Sequence, residues 1–310
     1  MKYLRTIFIL MVSAWTVISM HELLNNPMWI STVLAASMLL FSLYGIKKIK
    51  YFWLTLGINL IYLIFFSLLS PEIQFRNTVW QKPWAKKPYI TRFDNGKIKI
   101  HDMRNFKYRS EDDFDALYSD KIFDPDKIES LDIAVSHWDD LELISHTMLN
   151  FNFSDGQKLT VSVETRLPEN KRQTFLSGLC KQHELIIVLG TPEDLFDLRS
   201  RYRGECLFVY RTTVSPQQAK ELLGKIIDKV EQLHTRPEFY HVISANCTTA
   251  LLPLFQSLNQ EKNVFDIRFL LNGYVDKMLF EKGLLQKYPG EKFDSLKARS
   301  LIKGKCNGEL

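Results

Sequence analysis

The chain has 310 residues, 46% of them apolar and 24% charged, which excludes a wholly disordered or fibrous protein and leaves room for one or two domains. Residues 1–75 carry five Lys/Arg and two Asp/Glu, so three of the five net positive charges sit there. The remaining 35 Lys/Arg and 33 Asp/Glu nearly cancel, which argues against nucleic acid as a partner.

From Thr6 to Pro71 the only charged residues are Glu22, Lys47, Lys48 and Lys50. Three apolar segments follow one another: Leu4–Leu24, Met28–Ile46 and Tyr51–Ser70. The second and third have the length and lack of charge that a helix needs to cross a bilayer core. The first is shorter and requires Arg5 to snorkel. A signal peptide is the rival reading, but no small-x-small cleavage site follows near Met20. His21, Glu22 and Asn25–Pro27 read as a loop. Lys2 and Arg5 precede the first segment, and Lys47, Lys48 and Lys50 separate the second from the third. Both clusters face the cytoplasm under the positive-inside rule. The chain after Pro71 is then extracytoplasmic. This gives a three-helix membrane anchor over 1–72 and an extracytoplasmic domain over 73–310. Trp80, Lys82, Trp84, Lys86, Lys87 and Tyr89 read either as headgroup anchors or as a linker packed on the domain.

Residues 90–145 are irregular in pattern and suggest a mixed β/α opening. His146–Phe153 alternates in polarity and predicts a strand. Ser154-Asp155-Gly156 is turn chemistry, and Leu159–Arg166 reads as the returning strand. Glu184–Gly190 and Cys206–Thr212 are two further strands. Ser215-Pro216-Gln217-Gln218 is a capping box with proline at the first helical position, and the apolar residues behind it repeat at helical spacing to about His234. A second helix begins near Asn246-Cys247-Thr248-Thr249. The order gives an α+β fold with a meander sheet.

No GxSxG, Walker A, GxGxxG, HExxH or CxxC motif is present, so no metal and no cofactor is expected. The cysteines are Cys180, Cys206, Cys247 and Cys306. Cys247 stands apart because it opens an apolar helical run behind Ser244 and Asn246. A thiol in the first helical turn feels the positive end of the dipole and free N–H groups, both of which favour thiolate. A cysteine nucleophile also needs a base. His146 opens a strand, where a sheet end can meet a helix N-terminus. Composition alone would make Cys247 a small buried hydrophobe and His146 a polar strand-end residue.

Three runs carry more. Ser145–Arg166 (SHTMLNFNFSDGQKLTVSVETR), His183–Arg203 (HELIIVLGTPEDLFDLRSRYR) and Arg236–Thr249 (RPEFYHVISANCTT) resemble the Lnb N-terminal periplasmic domain family. The resemblance extends upstream through Ile100–Tyr118 and downstream through Phe269–Leu285, covering about residues 90–300. The family's His-Thr-x-Leu-x-Phe-x-Phe-x-Asp-Gly block is present from His146 to Gly156, and its Asn-Cys-Thr-Thr at Asn246–Thr249. Its Asp-Glu-Arg-Asp segment is replaced by Thr191-Pro192-Glu193-Asp194. The resemblance implies a cysteine-dependent acyltransferase that moves a fatty acyl chain from a membrane phospholipid to the N-terminal amine of a lipoprotein. It also implies a permuted papain-like domain, with an antiparallel sheet preceding a cysteine-bearing helix. Behind three N-terminal transmembrane helices, this would be a multi-pass protein of a bacterial inner membrane with its C-terminal domain in the periplasm.

In that chemistry Cys247 is the nucleophile and His146 the base. A third polar group should orient the imidazole, and Glu164 on the returning strand is the candidate. A two-residue turn at Asp155-Gly156 would place Thr165 opposite His146. A bulge or a three-residue turn would place Glu164 there. Glu164 could instead be a salt-bridge partner of Arg166, Arg199 or Arg203. Asn246 reads as a helix cap or an oxyanion-hole amide. Arg199, Arg201 and Arg203 with Glu193 and Asp194 read as a structural ion-pair network rather than a phosphate site. His137, His183 and His234 read as ordinary surface or core residues. Two other classes stay open: an envelope cysteine peptidase or amidase acting on peptidoglycan stems, and a non-catalytic envelope binding module.

Overall fold

A computed structural model describes residues 2–24, 36–37, 40, 49–68, 75–137, 144–242, 268 and 272–302. Chain contacts gather into two compact units. One comprises Met1–Thr78, Lys171–Glu184 and Glu238–Val242, the other Val79–Asn170, Leu185–Pro237 and Ile243–Leu310.

The first unit contains helices α1 (Lys2–Leu24) and α2 (Ile49–Leu68), which pack on one another. Helix α1 runs through His21 and Glu22, which the sequence pattern assigns to a loop. The second apolar segment, Met28–Ile46, lies almost entirely outside the described residues. Among the described residues no helix is long and apolar enough to cross a membrane; side chains are described for 7–19 of α1 and for 53–64 and 68 of α2. Those side chains have an unusual distribution. Ser13, Thr16, Ser19, Thr55 and Asn59 are buried, whereas Ile7, Phe8, Met11, Trp53, Leu54, Ile61 and Ile64 are exposed. The buried polar groups turn onto their own helices: Thr16 donates to the Val12 carbonyl, Ser19 to that of Thr16 and Asn59 to that of Thr55. The short helix α3 (Phe175–Leu179) contacts α1.

The second unit is built on an eight-stranded sheet. Its strands are β1 (Tyr89–Arg92), β2 (Ile98–Arg104), β5 (Tyr118–Phe123), β6 (Ile128–His137), β7 (Ser145–Phe153), β8 (Lys158–Arg166), β9 (Glu184–Gly190) and β10 (Cys206–Arg211); β3 (Lys107–Tyr108) and β4 (Phe114–Asp115) form a separate ribbon. The order across the sheet is β1-β2-β9-β8-β7-β6-β10, with β5 paired to β2. The α+β class is as expected, but the sheet is not a simple meander. β6, β7, β8 and β9 follow one another in space, but β9 is flanked on its other side by β2, with which it pairs in parallel. β10 crosses to the far side and pairs antiparallel with β6.

The 90–145 region is also more regular than its pattern suggests, contributing β1–β6. The ten-residue β6 is buried along most of its length, and polar Ser130, Asp132 and Ser136 interrupt its apolar run. In β2 a register shift falls between Ile100 and Met103, where Asp102 takes a φ of 53°. The bulge breaks the two-residue periodicity on which a strand is recognised.

One sheet face carries Ala134, Met148, Ile186, Val188 and Leu207, packed against Leu195 and Phe196 of α4 (Pro192–Asp197). Helix α5 (Pro216–Thr235) contacts β6 and β1. Its Ser215 capping box forms as the sequence predicts, and Ala219, Leu222, Leu223, Ile226, Ile227, Val230 and Leu233 make its buried stripe.

Candidate active site

The β7–β8 hairpin fixes the site. Ser154, Asp155 and Gly156 form a three-residue connection: the Phe153 N–H donates to the Gln157 carbonyl, and Gly156 adopts a φ of 82°. Asn152 therefore pairs with Lys158 and Met148 with Ser162. Continued by two residues, that register sets Glu164, not Thr165, across from His146. On the other side His146 pairs with Ser136 of β6.

His146 is 8% exposed, and its Nε2 lies 2.7 Å from Ser162 Oγ. Ser162 donates to Glu164 Oε1 at 2.8 Å. Trp84 donates its indole N–H to Glu164 Oε2 at 2.6 Å. Arg199 Nη2 stands 3.9 Å from Glu164 Oε1, and its Nη1 pairs with Glu205 Oε2 at 3.0 Å. Ser136 donates to the same Glu205 carboxylate. Glu164 is thus both in line with His146, through Ser162, and beside one of the three arginines the sequence offered it.

The residues that frame this line come from distant parts of the chain. Arg166 holds Trp84 in place by donating from Nε to its carbonyl and from Nη2 to that of Ala85, each at 2.9 Å, while its guanidinium covers the Trp80 ring at 4.1 Å. The Trp80–Tyr89 segment therefore takes the packed-linker alternative. Lys82 bonds the Phe114 carbonyl, Lys86 pairs with Asp102, and Tyr89 stacks on His101. Arg199 lies on a π-helical turn, Leu198–Tyr202, that extends α4. Such turns are rare and gather at functional sites.

Asp194, fully buried, anchors the next layer. It binds Arg104 through Nη2 at 2.6 Å and Nε at 3.3 Å, and accepts from the Phe106 N–H at 2.7 Å and the Tyr108 hydroxyl at 3.2 Å. Arg201 pairs with Asp197 and Arg203 with Glu111. The three arginines are ion-paired, as the sequence reading preferred, but their partners are Glu205, Glu164, Asp197 and Glu111 rather than Glu193 and Asp194, and Asp194 serves Arg104 instead.

The electrostatics separate the two ends of the hydrogen-bonded line. Burial works against ionisation of Glu164, but Arg104, Arg199, His146 and the Trp84 N–H together hold its carboxyl down at about 2. Burial, reinforced by Arg199, pushes His146 well below the usual imidazole value. At neutral pH the carboxylate is ionised and the imidazole is neutral, the form that can accept a proton.

Cys247 and Asn246 lie outside the described residues, as does the helix expected to begin there. Of the other cysteines, Cys206 is disulfide-bonded and Cys180 is a buried thiol. Ser162, Arg104 and Glu205 are not singled out by the sequence, and Trp84 is only as part of the Trp80–Tyr89 segment, with no link to the histidine. Ser162 shares its strand face with Glu164 by the two-residue period, so the correct register would have revealed it. Trp84 and Arg104 stand 80 and 60 residues before Glu164, and no local pattern links them.

An antiparallel hairpin, set in a mixed sheet whose β2 and β9 pair in parallel, that aligns a buried histidine, a serine and a carboxylate is the class of site present. The Lnb N-terminal periplasmic domain family matches residues 114–273, more than half of the chain, and the protein belongs to that family. No curated protein and no solved structure matches it.

Proposed function

We propose that the protein is a membrane-anchored cysteine acyltransferase that carries a fatty acyl chain from a phospholipid to the N-terminal amine of a lipoprotein. The observation that carries the reading is the His146–Ser162–Glu164 line, which holds a neutral, buried imidazole at the family's histidine block. The Cys247 thiol gives its proton to His146, and the thiolate attacks the phospholipid ester carbonyl. Collapse of the tetrahedral adduct leaves a thioester, and His146 returns the proton to the departing lysophospholipid oxygen. The lipoprotein amine then attacks the thioester. His146 takes the amine proton and passes it to the sulfur as the amide forms. Asn246 would cap the cysteine helix or donate to the oxyanion. The domain is read as permuted papain-like, the cysteine helix following the histidine strand.

Helices α1 and α2 support the membrane part of the proposal. They bury Ser, Thr and Asn and expose large apolar side chains, the reverse of a water-soluble pair and the arrangement by which helices associate in lipid. With Met28–Ile46 they make three spans, which the basic residues orient with 73–310 in the periplasm. The disulfide at Cys206 belongs to an oxidising compartment.

The test is the mass of the purified chain after incubation with phospholipid. A species heavier by one acyl chain, labile to hydroxylamine and absent from Cys247→Ser, is expected. A diacylated lipopeptide should discharge it and become triacylated. Acyl transfer by Cys247→Ser, or cleavage of a muropeptide without such an adduct, would refute the proposal.

A further inference from the structure

This inference rests on the reading of His146 as the base and asks which of its nitrogens does the work. The answer follows from counting protons along the line. An indole nitrogen can only donate, so Glu164 Oε2 accepts from Trp84. With the carboxylate ionised, Oε1 accepts as well, and the one hydroxyl hydrogen of Ser162 is committed to it. Ser162 Oγ, 2.7 Å from His146 Nε2, is left only its lone pairs to offer. Nε2 must therefore carry the hydrogen, and in a neutral imidazole that leaves Nδ1 bare.

We propose that Trp84, Glu164 and Ser162 form a tautomer lock, three positioning residues that keep the proton on His146 Nε2 and make Nδ1 the basic nitrogen. When Nδ1 takes the cysteine proton, the imidazolium is already hydrogen-bonded through Ser162 toward a carboxylate, and no proton leaves Nε2. Trp84 supplies direction. It compels the outer carboxyl position to be an acceptor, whatever stands at 164.

Substitution of that carboxylate gives an unusual expectation. In Glu164→Gln the amide oxygen must face Trp84, so the NH2 faces Ser162. The hydroxyl then accepts from Gln and donates to His146, which inverts the tautomer and protonates the nitrogen that should be basic. Turnover should fall about 10²–10⁴-fold. Adding Trp84→Phe frees the amide to rotate, so the double variant should recover the Nε2–H form and part of the lost turnover. Ser162→Ala removes the constraint, and a mixture of tautomers with a loss of about tenfold is expected, the scale of one hydrogen bond.

The experiment is NMR of the full chain in detergent with 15N-labelled imidazoles, the His146 resonances being identified among the seven histidines by their absence from His146→Gln. A protonated Nε2 and a bare Nδ1 in the wild type, inverted in Glu164→Gln and restored by the added Trp84→Phe, support the lock. A bare Nε2 in the wild type, or an unchanged tautomer in Glu164→Gln, overturns it. Should Glu164→Gln fail to fold, the wild-type and Ser162→Ala spectra still decide. The spectra need no turnover, so loss of the acyltransfer reading through Cys247→Ser would be seen separately from loss of the lock.

Discussion

His183 shows how much one buried side chain can do to the pH dependence of stability. It is fully buried, and its Nε2 lies 2.8 Å from Ser177 Oγ. Burial, reinforced by Lys171, lowers its pKa from 6.5 to about 4. The unfolded chain protonates this imidazole as pH falls through about 6.5, while the folded chain resists until about 4. Between those values the unfolded state binds more protons, so stability is complete above the upper one and erodes below it, by roughly 3 kcal/mol in full. His146 acts with the same sign. His183→Gln should therefore lessen, without abolishing, the stability lost between pH 7.5 and 4.5, as read from denaturation midpoints. An unchanged pH slope would show that His183 does not titrate in this way.

At the scale of the element, the hairpin turn decides which residue stands opposite the histidine. Gly156 holds a φ of 82°, where a β-carbon is strained; Gly156→Ala should cost on the order of 1 kcal/mol. The loss should appear in the denaturation midpoint, with the His146–Glu164 pairing retained. A stabilised Gly156→Ala would refute the strained-turn account. The strands β7, β8, β9 and β10 and the capped α5 were legible because each declares itself locally, through alternation, a continuous apolar run or a capping box. The turn chemistry was legible too, but not its length, and a two-residue against a three-residue loop exchanges Thr165 for Glu164 opposite His146. β6 escaped notice because Asp132 and Ser136, buried by their partners Arg211 and Glu205, interrupt its apolar run. The place of β10 beyond β6 was illegible for another reason. It depends on a crossover, and strand order is not written into the strands themselves.

For the whole molecule, the decisive question is which side of the membrane holds the sheet. In the proposed topology the Lys2/Arg5 and Lys47/Lys48/Lys50 clusters would put both their loops in the cytoplasm and the chain after Pro71 outside. A reporter fused after Leu310 should be active only outside the cytoplasm, and one fused at Lys48 only within it. Cytoplasmic activity of the Leu310 fusion would reverse the orientation and remove the lipoprotein amine from reach.

The composition of the first unit bears on how the protein can be handled. Its Lys171–Glu184 and Glu238–Val242 segments are interior to the chain, yet they cluster with residues 1–78. Gly178 shows how closely the two interior pieces meet: a β-carbon there would stand 2.3 Å from a Val242 methyl. Phe75, at the end of the N-terminal piece, makes an edge contact with Phe239. A recombinant fragment begun at Val79 would therefore not be a tidy soluble half. It would shed the N-terminal share of a composite body and carry away the two interior shares with those neighbours missing.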